Sequence, residues 1–594
     1  MALFAPSASP AVVVREIDLT GGVPNVQSTT GAYVGDFRWG PVEQRMLIAN
    51  EAQLAGTFAS PDSDRSIHFH SCSYYLRYSG TLLVVREVTG VARNSRSTIG
   101  QRATDSDGSL PTETVKNLAD FEGQQSSLAN DRHTFIAKYP GEMGNGLRVD
   151  ICPPNQSAFN AWAYKDEFDT YPSTSTYASE IGASNDEIHV VVIDSDGEFS
   201  GTRGTILERY PFLSMGTNAR RTDGTTNYAL DVINTISDYV WMVGWDSDYT
   251  DTGYNHRPAG LRINTGNDFQ PQVGTAKTAA TKHVLRKGVN SSPLTTSEYL
   301  TGFDLFEDKD TVEVDFLIAP SMITTENQVT VVNDLTATAQ QLRKDCVVIT
   351  SPARDDVVDL LNPATITSNI ITTVDQFTNS SYLIVDNNFL KVYDKYNDMY
   401  IKIPAASSVA GICAATDLNR APWFSPAGVR RGQLLGITGI EWSPTKSQRD
   451  ELYKRSVNPI ANIPGQGVLL YGDKTKLNRP SAFDRINVRR LFLVLERAIA
   501  RAAQSTLFEF NDEFTRAEFV NIVEPVLREV KGRRGITDFR VICDETNNTP
   551  AIIDRNEFVA NLFIKPARSI NYITLNFVAV RTGVDFDEVV GLQF

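Results

Sequence analysis

The sequence predicts a multidomain protein of mixed α/β and α+β class, and three observations carry that prediction. A chain of 594 residues exceeds what one hydrophobic core supports, because single cores stop growing at about 250–300 residues. A strand–helix–strand pattern in the middle of the chain marks a parallel sheet. Near the C-terminus, two amphipathic helices are followed by a run of strands, the pattern of a separate α/β domain.

The elements follow in order. Pro10-Ala-Val-Val-Val-Arg-Glu-Ile-Asp-Leu19 is β-branched and partly alternating, so it reads as a strand, cut off by Gly21-Gly22 and Pro24. Thr30–Gly40 reads as a second strand ending at Gly40-Pro41, Asn50–Phe58 as a short helix, and Leu82–Val88 as a buried strand. From Val91 to Asp186 Ser, Thr, Asp, Asn and Gly dominate, which predicts an inserted, exposed, β-rich domain. Ile188–Ile193 restores strand patterning, with a hairpin turn at Asp194-Ser-Asp-Gly197. Val312–Ala319, Glu326–Leu342 and Asp345–Thr350 form the strand–helix–strand unit, and Ser407–Thr416 suits a helix of small packed residues.

Asp484 opens a helix through Arg501, with Leu491, Leu495, Ala498, Ile499 and Ala502 on one face. Thr515-Arg-Ala-Glu518 has the form of a capping box. Behind it Phe519, Ile522, Val523, Val526, Leu527 and Val530 make a helical stripe. Pro525 should kink that helix and Gly532 should end it. Strands are expected at Ile536–Cys543, Phe558–Ile564, Ile570–Val580 and Val584–Val590.

Composition narrows the function. No run of about 18 apolar residues occurs, so no helix is expected to span a membrane, and the N-terminus lacks the basic and apolar regions of a secretory signal. Cys72, Cys152, Cys346, Cys413 and Cys543 are odd in number and form no CxxC pair, which suits buried free thiols in a reducing compartment. Net charge is −15; from Ser481 onward 15 Lys/Arg face 16 Asp/Glu, so −14 lies in the preceding residues. No basic footprint for nucleic acid is present.

Both chain ends carry strand patterning, although ends are normally polar and frayed. Fixing an arm of about eight residues costs roughly 1–2 kcal/mol each in backbone entropy. About six ladder hydrogen bonds return only about 0.5–1.5 kcal/mol apiece. Burying Val12, Val14 and Ile17 adds about 1.5–3 kcal/mol each, so the arm orders only against a groove. That groove can belong to the same chain or to a neighbour, and in the second case the arm completes a neighbour's sheet.

Thr29–Val42 (TTGAYVGDFRWGPV) resembles the opening strand of the contractile phage tail sheath family. The arm before it is similar to that family's Pro-Gly-Val-x-x-x-Glu arm, departing at Ala11. Tyr139–Val149, Val191–Ser214 and above all Asp484–Ile570 resemble further family segments, in family order, and Gly583–Glu588 resembles the C-terminal arm. The resemblance implies an N-terminal arm (1–24), a sheath core (25–90 and 188–480), an inserted β-rich outer domain (91–187), an inner α/β domain facing a tail tube (481–582) and a C-terminal arm (583–594). It implies a non-enzymatic subunit that forms hexameric rings stacked around the tail tube, with no cofactor, and that meets baseplate and tail terminator proteins. Val12, Val14, Glu16 and Ile17, with Val584, Phe586 and Val589, would form arm strands in neighbouring subunits' sheets. The sheath would be built in the host cytoplasm and contract in the virion to drive the tube through the host envelope. Lys531, Arg533 and Arg534 are candidates to face the tube, or else complement a helix dipole.

Rival chemistry was weighed. His68-Phe-His70 could place two imidazoles on one face of a strand, as a metal-dependent hydrolase would need, but lacks a third ligand. Asp105-Ser-Asp-Gly108 and Asp194-Ser-Asp-Gly197 lack the later ligands of a calcium loop and read as hairpin turns. Cys346 reads as inert core. A related contractile injection sheath, or a host-glycan-binding virion surface protein using 91–187, remain the alternatives.

Overall fold

A computed structural model describes residues 29–97, 114–130, 134–180, 184–244 and 280–569. The chain divides into a larger unit, Val26–Pro422 with Pro426–Arg497, and a smaller one that includes Trp423–Ser425 and everything from Ala498 onward. The arm residues Val12, Val14, Glu16, Ile17, Val584, Phe586 and Val589, the expected strand Ile570–Val580 and the turn Asp105–Gly108 lie outside the described residues.

The larger unit is built on a seven-stranded sheet. From one edge to the other its strands are Val457–Asn458, Leu383–Asp386, Val347–Thr350, Phe316–Ile318, Gly31–Gly35, Leu82–Arg86 and Met46–Ile48. All neighbours run parallel except the last pair. Parallel strands require both faces covered, and alternation along each strand shows that they are. Tyr33, Phe316, Ile318, Val347, Ile349 and Ile384 enter one core with the helices Glu51–Phe58, Ser66–Leu76 and Ala406–Asn419. Ala32, Val34, Leu317, Val348, Leu383 and Val385 enter the opposite core with the helices Thr296–Asp304, Thr325–Ala337 and Pro363–Asp375.

The expected strand–helix–strand unit is present: Phe316–Ile318 and Val347–Thr350 pair in parallel around the helix Thr325–Ala337. That helix runs on as a π-helical turn, Thr338–Arg343, and stops at Lys344, whose φ is +63°. The small-residue helix Ala406–Asn419 is buried almost throughout. A Cβ on Gly411 would lie 2.4 Å from the Tyr78 ring, so the bare glycine is what admits the aromatic.

A second seven-stranded sheet, with its own core, lies in the larger unit. Its strands are Thr205–Ser214, Glu187–Asp194, Leu147–Cys152, Thr281–Arg286, Arg96–Ser97, Phe135–Ala137 and Val240–Met242, and every pairing is antiparallel. This corrects the boundary expected at 187/188. Glu187–Asp194 is hydrogen-bonded along its length to Leu147–Cys152, so the insertion continues to Arg286. Composition changes at 187, but ladder pairing decides membership. Arg86, fully buried, ties the two sheets together by donating to the carbonyls of Phe37, Gly40 and Pro140, each at 2.8 Å.

The helix Ile486–Gln504 counts with the larger unit to Arg497 and with the smaller one from Ala498. The smaller unit adds the helix Glu513–Gly532 and an antiparallel ribbon of Ile536–Ile542 and Asn561–Pro566. Phe519, Val523, Leu527 and Val530 are buried, as the stripe predicts. The helix start is corrected: Asp512 is the N-cap and its carboxylate accepts from the Thr515 N–H, so Thr515 lies in the first turn. The helix runs through Pro525 and ends at Gly532, but the left-handed residue after it is Arg534 at φ +68°.

Candidate assembly surfaces

The residues weighed for chemistry are absorbed by the fold. Ser66–Leu76 is a helix, not a strand, so residues two apart point about 200° apart around its axis. His68 meets the hydroxyls of Tyr33 at 2.9 Å and Tyr299 at 3.1 Å, and burial pushes its imidazole down to about 4. His70 instead faces the buried Asp394 at 3.1 Å. The two imidazoles are therefore not brought together, and among the described residues no group of three His, Cys, Asp or Glu could hold a metal ion. Asp194 is buried and its carboxylate accepts backbone N–H groups from Gly197, Glu198, Phe199 and Ser200, which closes a hairpin loop. The five cysteines are free and buried, and burial pushes the Cys346 thiol up to about 12.

Open parallel sheets bind ligands at the carboxyl ends of their strands. Here that edge is knitted by side chains. Gln328 donates to the Thr350 hydroxyl at 2.9 Å and to the Ser351 carbonyl. Asp386 accepts from the Ser351 hydroxyl at 2.8 Å and the Asn388 N–H at 3.0 Å, while Ser351 Oγ accepts from the Ala406 N–H. Burial pushes Asp386 up to about 7.

Two buried ion pairs, one in each half, moor the helix Ile486–Gln504. Arg490 pairs with Asp417, each only 4% exposed, and also donates to the Cys413 carbonyl. Arg497 pairs with Asp315 at 2.7 Å and donates to the Asp345 carbonyl at 2.8 Å. The Arg489 guanidinium sits between the Tyr382 and Phe483 rings, 4.3 and 4.2 Å from their centroids. No periodicity flags such arginines, because a charge on a buried helix face looks like a break in the pattern.

The smaller unit offers the opposite kind of surface. Its ribbon alternates: Leu562, Ile564 and Pro566 are half-buried while Asn561, Phe563 and Lys565 are exposed. Phe539 and Val541 on the partner strand are also only half-buried. The loop between the two helices exposes Leu507, Phe508 and Phe510, the first turn of the second helix exposes Phe514, and Phe508 is fully exposed with φ at +70°. A bulky residue held there is strained. Sequence reasoning passed over these residues, since apolar side chains in a loop follow neither helical nor strand spacing. Of the candidate tube-facing residues, Lys531 pairs with Asp538 at 3.2 Å. Arg533 pairs with Glu529 at 3.3 Å and lies over the Trp423 ring. Arg534 occupies the left-handed turn.

Comparison with known proteins gives a consistent answer. Residues 293–476 match the family model of the phage tail sheath protein central domain, and 478–579 that of the phage tail sheath C-terminal domain. The first match begins just after the second sheet ends at Arg286. The chain is 32% identical to a tail sheath protein of Enterobacteria phage T4, over 98% of this chain and 99% of that protein. It is 30% identical to a tail sheath protein of Salmonella phage ViI, over 99% and 98%. The crystal structure of a sheath tail protein from Listeria innocua shares the fold with a TM-score of 0.53 at 11% identity, covering 92% of this chain and 93% of that one.

Proposed function

Since the chain belongs to the phage tail sheath family, we propose that it polymerises as stacked hexameric rings around a tail tube and contracts to drive that tube through the host envelope. It is a structural tail sheath protein of a contractile bacteriophage tail, a component of the virion. In the proposed assembly, arms from neighbouring subunits add strands to the C-terminal sheet, and baseplate and tail terminator proteins cap the ends. Assembly takes place in the host cytoplasm. Energy is held as the difference between two packings of the same subunit, with each subunit moving as a rigid body and the arms flexing.

One observation carries this reading: the smaller unit's ribbon has only two strands among the described residues. An isolated two-stranded ribbon is marginal in water, and three or more strands are needed for independent stability. Among the described residues no third strand pairs with its outer edges, which offer N–H and C=O groups as a template for one. Phe539, Val541, Leu562 and Ile564 are left half-buried, and fully covering such side chains is worth about 1.5–3 kcal/mol each. Val12, Val14 and Ile17 from one neighbour, and Val584, Phe586 and Val589 from another, have the alternation to cover them. The buried pairs Arg490–Asp417 and Arg497–Asp315 suit a subunit whose core moves without deforming.

Deleting residues 1–20 tests the reading. The truncated chain should stay folded and soluble by circular dichroism and gel filtration, yet form no tubes by negative-stain microscopy. Normal tubes from the truncated chain would refute the arm contact. For the tube, the local pairs of Lys531 and Arg533 favour a structural role for those two and leave Arg534 as the better candidate. Charge reversal at Arg533 and Arg534 should impair assembly on a tube; unchanged tube-templated assembly would remove them from that contact.

A further inference from the structure

Two strongly charged patches lie on opposite faces of the core sheet, where they cannot meet within one chain. The acidic patch gathers at the end of the helix Thr296–Asp304 and on the helix Thr325–Ala337. Asp304, Asp308, Asp310 and Asp334 are exposed and Glu307 is half-buried. Burial, then Asp304 and Asp334, push Glu307 up, and burial, then Asp304, push Asp334 up. Asp304 also closes its helix at the C-terminal end, where the macrodipole disfavours an anion. Among the described residues no ion pair involves Asp304, Glu307 or Asp334, and the nearest cation contact in this turn is Arg45, which donates to the Leu305 carbonyl at 3.1 Å.

The basic patch is on the other face. Arg420 follows the helix Ala406–Asn419, and Arg430 and Arg431 sit in a turn beside it. Burial, then Arg420 and Arg430, push Arg431 down, so the three guanidiniums share one neighbourhood. The turn is held rigidly: Gly428 donates to the Leu470 carbonyl at 2.9 Å, Gly432 to the Gly428 carbonyl at 2.7 Å, and Leu470 to the Gly432 carbonyl at 2.8 Å. Gly428, at φ +88°, makes that geometry possible. Val429 and Leu418 are exposed within the same patch, 54% and 60%, so the arginines stand on a partly apolar surface.

The helices bearing the two patches pack into different cores, one on each side of the sheet. Each copy therefore presents a basic surface on one side and an acidic one on the other. Such a contact is heterologous, so it repeats from copy to copy and builds rings or open helical arrays. Charge complementarity of this kind mainly sets register and association rate. We propose that sheath subunits register head to tail through Arg420, Arg430 and Arg431 of one copy facing Asp304, Glu307 and Asp334 of the next. This inference rests on the sheath reading and adds the surface that carries part of the polymer contact.

The test uses the full chain and measures the critical concentration for polymer by sedimentation, across a salt series. Three variants are compared: Arg430→Glu with Arg431→Glu, Asp304→Lys with Asp334→Lys, and all four together. Each paired reversal should raise the critical concentration about tenfold or more and flatten its salt dependence. The four-fold variant should return to within about threefold of the parent chain. Gel filtration and thermal melts of the monomers confirm that all three fold. Assembly of both paired variants at the parental concentration overturns the proposal, as does failure of the folded four-fold variant to recover. A parent chain that stays monomeric at every salt concentration overturns the sheath reading itself, and this contact with it.

Discussion

In the larger unit, seven strands share one sheet with a core on each face, and the buried pairs Arg490–Asp417 and Arg497–Asp315 lie within it. In the smaller unit, two strands among the described residues form a ribbon with half-buried apolar residues, and the loop before the helix Glu513–Gly532 holds Phe508 fully exposed. Among the described residues, the apolar side chains of the first region are largely covered, while the ribbon and loop of the second leave theirs partly or fully open. A monomer gains nothing from exposed aromatics and open strand edges. In the proposed sheath the same groups become joints between copies. On that proposal, the difference separates a body that keeps its shape from a region completed by other copies.

Substitutions should fall on the two regions very differently. The largest effect is expected at Arg490→Ala, which removes the buried guanidinium that pairs with Asp417 at a cost of about 3–5 kcal/mol. Replacing both, Arg490→Met with Asp417→Leu, should recover most of that loss. Urea titration followed by tryptophan fluorescence measures it, and a loss under about 1 kcal/mol for Arg490→Ala would show that the pair does not moor the helix. Next is Gly411→Ala, whose Cβ would lie 2.4 Å from the Tyr78 ring. Overpacking there should cost about 1–3 kcal/mol in the same titration.

A smaller, pH-dependent effect comes from buried acids of the larger unit. Burial, then Glu43, push Glu87 from 4.5 up to about 8, and burial pushes Asp386 from 3.8 up to about 7. The folded chain thus holds protons that the unfolded chain releases, so stability falls as pH rises toward 8. His68 acts in the opposite sense below 6.5, because burial holds it at about 4 and the unfolded chain takes up the proton first. The urea midpoint should therefore rise as pH is lowered from about 8.5 to about 6.5 and keep rising below that, with His68 offsetting one of the two acids. Glu87→Gln should flatten the upper limb; an unchanged slope would remove Glu87 from the account. The smallest effect is expected in the smaller unit. Phe508→Gly should change monomer stability by less than about 1 kcal/mol, because it removes no intrachain packing and relieves a left-handed φ. A larger loss would mean the loop is packed in the monomer and would weaken the contrast.

Elements with strong local patterning were legible in sequence. The stripe from Phe519 to Val530, the unit from Phe316 to Thr350 and the small-residue helix around Gly411 lie where their spacing put them. Errors arose where local signals compete. Ser66–Leu76 alternates like a strand but is a helix, because Tyr33 and Tyr299 on one side and Asp394 on the other give each histidine its own partner. Thr515 looked like a cap, but Asp512 caps the helix three residues earlier and accepts from the Thr515 N–H itself. The 187/188 boundary followed composition, while the strand there joins the insertion by hydrogen bonding.

By itself, then, the sequence determined the α/β character of the chain, its C-terminal helices and, through segments matching in order, its sheath family. These depend on spacing within a few turns or on motifs that survive without contacts. Only the tertiary structure decided that Gly31–Gly35 lies between Phe316–Ile318 and Leu82–Arg86, that the insertion runs to Arg286, and that acidic and basic patches face opposite ways. The physical reason is the same in each case. Long-range pairing and burial are set by which surfaces can be desolvated together, and residues hundreds of positions apart carry no periodic signal of it.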